Sequence, residues 1–461
     1  MKNAIRILLC VAIILPSCKK SFLDAKPNSS IVNPMSLNDY QLLLDNFRSL
    51  NTTGALSQMS SDEYFIKDKA SFDALDQQTY KGAYLWAKDL YGGEINILDW
   101  NQPYKGVFYA NSVLDGIKQI DQTNSNQADY NNIKGEALFF RCYAFYDLAK
   151  GFCSVYNQTS ASTDLGLPLR TSSGIDVTLQ RSNLKQTFDL IIADLQQATV
   201  LLREDFSTLN RNRPSKCAAF AMLARVYLYM GNYVEAGKAA NSSLAIYNKL
   251  IDYNKISKTS ATPFSYSSDE TIFYSSQEIA YTLTTGYGTS ISTIGVDPNL
   301  LALYSNGDLR SSIFFAKNTF GNFNVKRGYV GGGFYAFTGL AVDEVLLVSA
   351  ECAARLNDPQ TAVNALNKLL VNRLSASSFT PLVASTPAAA LSMVLLERRK
   401  ELVWRALRWS DIKRLNRDGA NIILQRILNG VTYTLSPNSP LYTFPIPSDE
   451  IALSGIEQNN R

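Results

Sequence analysis

The sequence predicts a mainly α-helical protein, in which about four tetratricopeptide-like helix pairs form a scaffold and a loop-rich, partly β-stranded region packs on it. Two observations favour this fold. Apolar residues recur at helical spacing over about 103–250 and 342–417, and one helix–turn–helix unit recurs there in weaker copies. The stretches 51–101 (the first loop region) and 251–339 (the second loop region) lack this periodicity and are rich in turn-forming and aromatic residues.

The clearest repeat covers residues 216–250. Ala224 and Tyr227 lie on one face of its first predicted helix, and Gly231 supplies the turn. Ala236 starts a small-residue face on the second helix, where it allows close helix packing. The spacing Leu-Ala-x2-Tyr-x3-Gly-x-Tyr-x2-Ala is that of a tetratricopeptide repeat.

Weaker signals complete the scaffold. One weaker copy of the repeat covers residues 342–373, where alanines occupy the same places as in the clear repeat. The other consists of a helix predicted over 107–120 followed by one over 128–150. A further amphipathic helix, 187–202, is expected to pair with the first helix of the clear repeat. Unrelated amphipathic helices are the alternative for any single weak copy, but several copies beside a strong one favour a repeat.

The N-terminus resembles a bacterial lipoprotein leader. Two basic residues precede the apolar run 7–15, which is too short to span a bilayer. The run ends in Leu-Pro-Ser-Cys, a lipobox in which the proline is a mild departure. We therefore expect residues 1–17 to be a signal peptide, Cys18 to be lipidated, 18–36 to be an extended tether and 37–461 to form one domain. An ordinary cleaved signal peptide with a chance cysteine is the alternative.

Composition excludes several functions. The net charge is only +4, without the basic excess or patch of a nucleic-acid-binding protein. The chain has no histidine, which removes Ser-His-Asp and Cys-His machinery and His-based zinc sites and leaves only carboxylate chemistry. Cys142 and Cys153 would lie about 16 Å apart on one helix, too far to bridge unless the helix ends between them, which Gly151 makes possible. We expect buried free thiols rather than a disulfide framework.

Several further segments stand in a recognisable order. They are Cys-Lys-Lys-Ser-Phe-Leu-Asp-Ala-Lys-Pro at 18–27, the Trp100–Asp115 segment, Gly-Glu-Ala-Leu-Phe-Phe-Arg at 135–141, Gly-Leu-Pro-Leu at 166–169, Glu-Arg-Arg-Lys-Glu-Leu at 397–402, Arg-Trp-x-Asp-x2-Arg at 408–414, Pro-Ile-Pro-x2-Glu-Ile at 445–451 and Gln-Asn at 458–459. Together they resemble the SusD/RagB family of nutrient-binding outer-membrane lipoproteins along nearly the whole chain. One departure is Trp-Arg-Ala at 404–406, where the family usually has Glu-Gly.

The resemblance implies a function. It implies a lipid-anchored protein of the outer membrane that faces the cell exterior, binds a glycan without converting it, and covers a SusC-like TonB-dependent transporter as a lid. Independently of the resemblance, the chain has no phosphate-binding or calcium-binding loop motif and no basic excess, so we expect no cofactor, no metal and no nucleic-acid partner. The alternatives are the same role for peptides or another nutrient, a surface glycosidase, and a tetratricopeptide adaptor that binds only proteins.

Candidate ligand-binding residues come from both loop regions. Sugar sites need flat aromatic faces and polar side chains for hydroxyl groups, and the chain has 25 Tyr with 11% aromatic residues. The candidates are Asp62, Tyr64, Tyr84, Trp86, Trp100, Asn101, Tyr281 and Tyr287, with Phe323 and Tyr335 as further aromatic loop residues. Packing of the first repeat is the alternative role for Trp100.

No residue is assigned a catalytic role. The spacing predicts that Glu401 shares a helix face with Arg405, and Asp411 with Arg414. Such pairs are usually solvated or inter-helix ion pairs. Asp62 and Glu63 supply carboxylates, but glycoside hydrolysis needs two at a defined separation, which sequence does not give.

Overall fold

The computed structural model describes residues 34–204, 210–277, 293–333 and 335–461. The α-helices in these ranges are α1 Leu37–Leu44, α2 Phe47–Leu50, α3 Leu56–Ser60, α4 Lys69–Asp73, α5 Gln78–Leu85, α6 Leu98–Gly116, α7 Gln127–Phe152, α8 Leu184–Leu201, α9 Lys216–Met230, α10 Tyr233–Ile246, α11 Pro298–Leu301, α12 Arg310–Phe314, α13 Val342–Arg355, α14 Pro359–Leu370, α15 Pro387–Glu401, α16 Arg408–Arg417 and α17 Ser448–Ser454. The strands there are β1 Thr52–Thr53, β2 Tyr64–Ile66, β3 Thr271–Phe273, β4 Ser276–Gln277, β5 Ile294–Val296, β6 Phe315–Lys317, β7 Phe323–Val325, β8 Leu340–Ala341, β9 Leu424–Leu428 and β10 Val431–Leu435.

The long helices form the predicted scaffold. Helix α7 packs on α6 and α8, α9 packs on α8 and α10, and α13 packs on α10, α14 and α15. Their apolar faces join one large buried cluster. The prediction of a mainly helical, repeat-like scaffold is confirmed, as is the contact between the helix predicted at 187–202 and the first helix of the clear repeat.

The clear repeat folds as its sequence predicts. The Ser215 side chain accepts a hydrogen bond from a backbone N–H in the first turn of α9. The helix ends at Gly231, whose φ of +82° favours glycine. The Asn232 side chain then caps α10, on which Ala236 and Ala240 are fully buried. Small side chains thus sit where the two helices meet.

Two helices start earlier than predicted. Helix α6 begins nine residues before the predicted 107, at Leu98, and includes Pro103. Proline in the second turn removes one hydrogen bond, which made the start hard to place from sequence. Helix α8 begins at Leu184, behind a capping box in which Asn183 and Gln186 bond each other's backbone N–H groups.

The cysteines behave as expected. Among the described residues, Cys142, Cys153, Cys217 and Cys352 are free and buried. Burial raises the pKa of the Cys153 thiol to about 11 and that of Cys217 to about 11, so neither is poised as a thiolate. Residues 1–33, which include the predicted signal peptide, Cys18 and most of the predicted tether, lie outside the described residues.

The short strands bring the two loop regions together. Strand β1 of the first loop region pairs in parallel with β4 of the second, and β2 pairs antiparallel with β5. The first loop region also contains helices α3 to α5. A separate antiparallel hairpin, β9–β10, follows the scaffold. None of the helices among the described residues combines the length and the apolarity that a bilayer span requires.

Candidate functional site

Three of the candidate rings surround an arginine. The Arg426 guanidinium carbon lies 4.0 Å from the ring centre of Tyr84, 4.8 Å from that of Trp86 and 5.0 Å from that of Tyr64. Arg426 comes from strand β9, where inward and outward side chains alternate. We call this arrangement the Arg426 cage.

The cage is closed by hydrogen bonds. The Trp86 indole N–H donates to the Ser60 carbonyl at 2.9 Å, and the Tyr64 hydroxyl donates to the Met59 carbonyl at 2.7 Å. Arg426 donates to the carbonyls of Met59, Ser61 and Tyr84.

All three rings of the cage are buried. Their faces therefore contact Arg426 and the core rather than solvent. That Tyr64, Tyr84 and Trp86 also contact a ligand stays a prediction.

Trp100 packs within the first helix pair. The sequence analysis gave this packing role as the alternative to ligand contact. Its ring centre lies 4.9 Å from that of Tyr104 and 5.1 Å from that of Phe152, and its N–H donates to Glu450 at 3.2 Å. Asn101 follows it on α6 and is exposed. Of this pair, only Asn101 presents its side chain to solvent, and its ligand contact stays a prediction.

Asp62 is held by two arginines. Its carboxylate accepts two hydrogen bonds from Arg408, at 2.8 and 2.9 Å, and lies 3.1 Å from Arg399. Burial alone would raise the pKa of Asp62, but the charges of Arg408 and Arg399 outweigh burial and hold that pKa below its usual value.

Glu63, beside Asp62, is buried and accepts from the Gln58 amide at 2.7 Å. Burial raises the pKa of Glu63. Both carboxylates are thus engaged with protein groups.

The charged segment at 397–414 forms buried ion pairs, but one predicted pair is wrong. Asp411 accepts from Arg414 at 2.8 Å, which confirms that pair. Glu401 instead accepts from Arg310 at 3.0 Å and from Arg373 at 2.6 Å. Helix α15 ends at Glu401, so Arg405 leaves the predicted helix face.

An exposed aromatic face lies where the two loop regions meet. Strand β2 pairs with β5, and β5 also contacts β7. The turn between β6 and β7 carries Phe320, which is 58% exposed, and the Lys67 ammonium lies 5.7 Å from its ring centre. We call the surface formed by Phe65, Lys67, Phe320, Asn322 and Phe323 the Phe320 face.

Local contacts fix this face. The Asn318 side-chain oxygen accepts from the backbone N–H groups of Phe320 and Asn322, both at 3.0 Å. Gly295 on β5 lets the Phe65 ring lie against the strand, since a Cβ there would come within 2.7 Å of that ring and displace it. The turn is therefore held by side-chain-to-backbone bonds and presents its ring outward.

Sequence reasoning found part of this face. It named Phe323, which is half-buried, but missed Lys67 and Phe320. The available signal was an aromatic residue between polar turn formers, Asn-Thr-Phe-Gly-Asn at 318–322. Tyr281 and Tyr287 lie outside the described residues, and Tyr335 is half-buried.

The described residues also line cavities. A small one of about 50 Å³ lies between the second loop region and the segment after α15. Its walls are Phe264, Ile313, Phe314, Val325, Lys326, Arg327, Gly328, Tyr329, Ala336, Phe337, Glu401, Val403, Trp404 and Arg405. An open cleft of about 510 Å³ lies at the far end of the chain, between residues 88–94 and 445–461.

Comparison with known proteins identifies this architecture. A family model described as starch-binding and associating with the outer membrane matches residues 21–228, and the model of the SusD family matches residues 342–460. SusD-like protein P2 of Formosa agariphila is 23% identical over 371 residues, which cover 68% of this chain and 71% of that protein.

Solved structures share the fold. A putative sugar binding protein from Bacteroides vulgatus superposes with a TM-score of 0.74 at 21% identity, covering 93% of this chain and 99% of that one. A SusD superfamily protein from Bacteroides thetaiotaomicron gives a TM-score of 0.74 at 21% identity, with 93% and 100% covered. The sequence motifs, both family models and the helical scaffold agree: the chain belongs to the SusD/RagB family.

Proposed function

We propose that this protein is a lipid-anchored binding protein of the outer-membrane surface, which captures a glycan and delivers it to a SusC-like TonB-dependent transporter. The observation that carries the proposal is the Phe320 face. It combines an exposed ring, a lysine and an amide at the junction of two loop regions on a helical scaffold.

The chemistry of the face suits a sugar. The apolar side of a pyranose ring stacks on an aromatic face such as Phe320, while the Lys67 ammonium and the Asn322 amide bond hydroxyl groups. The face is open rather than enclosed, so it buries only part of a ligand. Modest affinity follows, and modest affinity favours transfer to a transporter.

Binding without turnover is the proposed chemistry. The neighbouring carboxylates that could have served hydrolysis, Asp62 and Glu63, are bound by arginines and an amide. Both would have to leave these partners before acting on a glycosidic bond.

Calorimetry against neutral and acidic oligosaccharides, with peptides as a separate arm, tests the proposal. We expect glycan binding by the wild type, weakened about tenfold or more in Phe320→Ala because the stacking ring is lost. Phe108→Ala is the matched control, since Phe108 is 45% exposed on helix α6 of the scaffold. Binding of peptides alone, or equal glycan binding by Phe320→Ala and wild type, would contradict the proposal.

The anchor and the partner need a second experiment. We expect Cys18→Ala to lose incorporation of a labelled fatty acid and to leave the outer-membrane fraction. The wild type should co-purify with a TonB-dependent barrel after mild detergent extraction. A wild-type protein without lipid, or one found in the cytosol, would contradict the proposed location.

A further inference from the structure

A second lysine lies beside the Phe320 face. Lys317 ends strand β6, where it is exposed and stands directly opposite Phe323 of β7. Directly opposite residues of an antiparallel pair point to the same side, with their Cβ atoms about 5 Å apart. Lys317 therefore lies on the side of the hairpin that carries Phe323. With Lys67, whose ammonium is 5.7 Å from the Phe320 ring centre, it brings a second positive charge to the aromatic face.

The strands fix the side on which the first lysine lies. The Lys67 backbone N–H donates to the Thr293 carbonyl at 3.0 Å, which continues the pairing of β2 with β5. Phe65 and Lys67 are two residues apart on an extended chain, so they point to the same side. The opposite side of β2 holds Tyr64 and Ile66, which are buried. Lys67 thus comes from the solvent side of its strand.

Neither lysine is paired with an acid. Among the described residues, no carboxylate forms an ion pair with Lys67 or Lys317. The acids of the adjoining elements have other partners. Asp68 and Asp297 accept backbone N–H groups at the starts of α4 and α11, and Asp73 pairs with a lysine of its own helix. The ammonium groups of the face therefore remain available to a ligand.

Two ammonium groups beside exposed rings suit an anionic sugar. An ammonium is a compact charge with three donors that rotate, so it binds a carboxylate or a sulfate without strict geometry. Neutral hydroxyl groups bind equally well to an amide such as that of Asn322 and need no net charge. Positive charges gathered on one surface raise the local concentration of negatively charged ligands. The pair of lysines therefore favours an acidic glycan over a neutral one.

We propose that the Phe320 face selects acidic glycans. Lys67 and Lys317 pair with carboxylate or sulfate groups of the ligand, while one of its sugar rings stacks on Phe320. This inference rests on the proposed glycan binding and names the class of glycan. The ion pairs are exposed, so each contributes a few-fold in affinity and weakens as salt is added.

Calorimetry with three oligosaccharides of equal length tests the inference. One is built of glucose, one carries glucuronate and one carries sulfated glucose. Lys67→Gln, Lys317→Gln and the double variant remove charge but keep a polar side chain, whereas Lys67→Arg keeps the charge. Lys69→Gln is the matched control, because Lys69 is exposed, lies two residues from Lys67 and pairs with Asp73. Thermal unfolding checks that each variant is folded.

We expect the wild type to bind an acidic oligosaccharide about tenfold or more tightly than the neutral one at low salt, with a smaller ratio at high salt. Each single glutamine variant should lower this ratio roughly threefold, and the double variant should abolish it while keeping neutral binding. Lys67→Arg and Lys69→Gln should keep the ratio. The tighter of the two acidic oligosaccharides distinguishes a carboxylate from a sulfate.

Equal binding of all three oligosaccharides by the wild type, or a preference that survives in the double variant, would overturn the inference and leave the proposed function standing. An equal loss in Lys69→Gln would overturn it as well, since net charge rather than contact would then be the cause. If Lys317→Gln keeps the preference but self-associates, Lys317 protects the edge of β6 instead. Failure of all three oligosaccharides would overturn the proposed function, and equally tight binding of an acidic peptide would overturn the assignment to a sugar.

Discussion

The Arg426 cage and the Phe320 face use aromatic residues in opposite ways. In the first, Tyr64, Tyr84 and Trp86 turn inward and enclose Arg426. In the second, Phe320 turns outward from a short hairpin, beside a lysine. An aromatic residue in a loop is therefore a candidate for ligand contact only when its ring face is not covered by buried protein groups. The first loop region therefore contains both a buried cage and, through Phe65 and Lys67, part of the Phe320 face.

The largest effect should come from the Arg426 cage. Arg426→Ala leaves three backbone carbonyls without their donors and empties a site lined by three rings. We expect the free energy of unfolding to fall by about 4 kcal/mol. Ile427→Ala is the matched control on the same strand, since Ile427 is 69% exposed and should change stability by less than about 0.5 kcal/mol. Denaturant unfolding measures both, and similar losses in the two variants would contradict the cage.

A smaller effect is expected at Asp62, and it should depend on pH. Its pKa is lower in the folded state than in the unfolded chain, because Arg408 and Arg399 outweigh burial. The unfolded chain thus binds the extra proton, so the stabilisation is complete above the unfolded pKa of roughly 4. It is lost as the pH falls through the folded pKa.

Asp62→Asn should therefore cost about 2 kcal/mol at pH 7, and the difference from wild type should shrink below about pH 4. Asp76→Asn, at an exposed position in the same loop region, is the control. Unfolding curves from pH 3 to 7 measure this, and a constant difference would rule out the linkage.

The helical repeats and the family motifs show where prediction from sequence succeeds. The clear repeat was predictable because its helical periodicity and its Gly231 turn lie within one short segment, 216–250. The family motifs also lie in short segments. Such signals are local, and the structure confirms the scaffold that they predict.

The orientation of the rings was not predictable in the same way. The partner of Tyr84 is Arg426, which lies more than 300 residues further along the chain. No local pattern in the first loop region indicates this contact. The predicted pairing of Glu401 with Arg405 failed for a related reason. Glu401 pairs instead with Arg310 and Arg373, which come from other segments of the chain. Long-range partners decide which charges and rings remain available.

The hairpin that carries Arg426 allows a finer test of the first loop region. A two-residue turn joins β9 to β10, with φ of +52° at Asn429 and +77° at Gly430. Gly430→Ala places a side chain in the left-handed region and should cost about 1 kcal/mol. Asn429→Gly should be neutral, because glycine adopts the same conformation freely. Equal free energies of unfolding for the two variants in denaturant would contradict the predicted cost of a side chain at position 430.

The smallest effect on stability is expected at the Phe320 face. Comparing Phe320→Ala with Trp86→Ala therefore separates a ring that binds ligand from one that packs in the core. Phe320→Ala removes a ring that is mostly in solvent, so the free energy of unfolding should change by less than about 0.5 kcal/mol. Trp86→Ala removes a buried ring and its hydrogen bond to Ser60, and should cost about 3 kcal/mol or more. Stability and glycan affinity measured on both variants separate the roles. A ligand face loses affinity while keeping stability, whereas a structural ring loses stability first. Phe320→Ala as destabilised as Trp86→Ala would mean that both loop regions use their rings for packing.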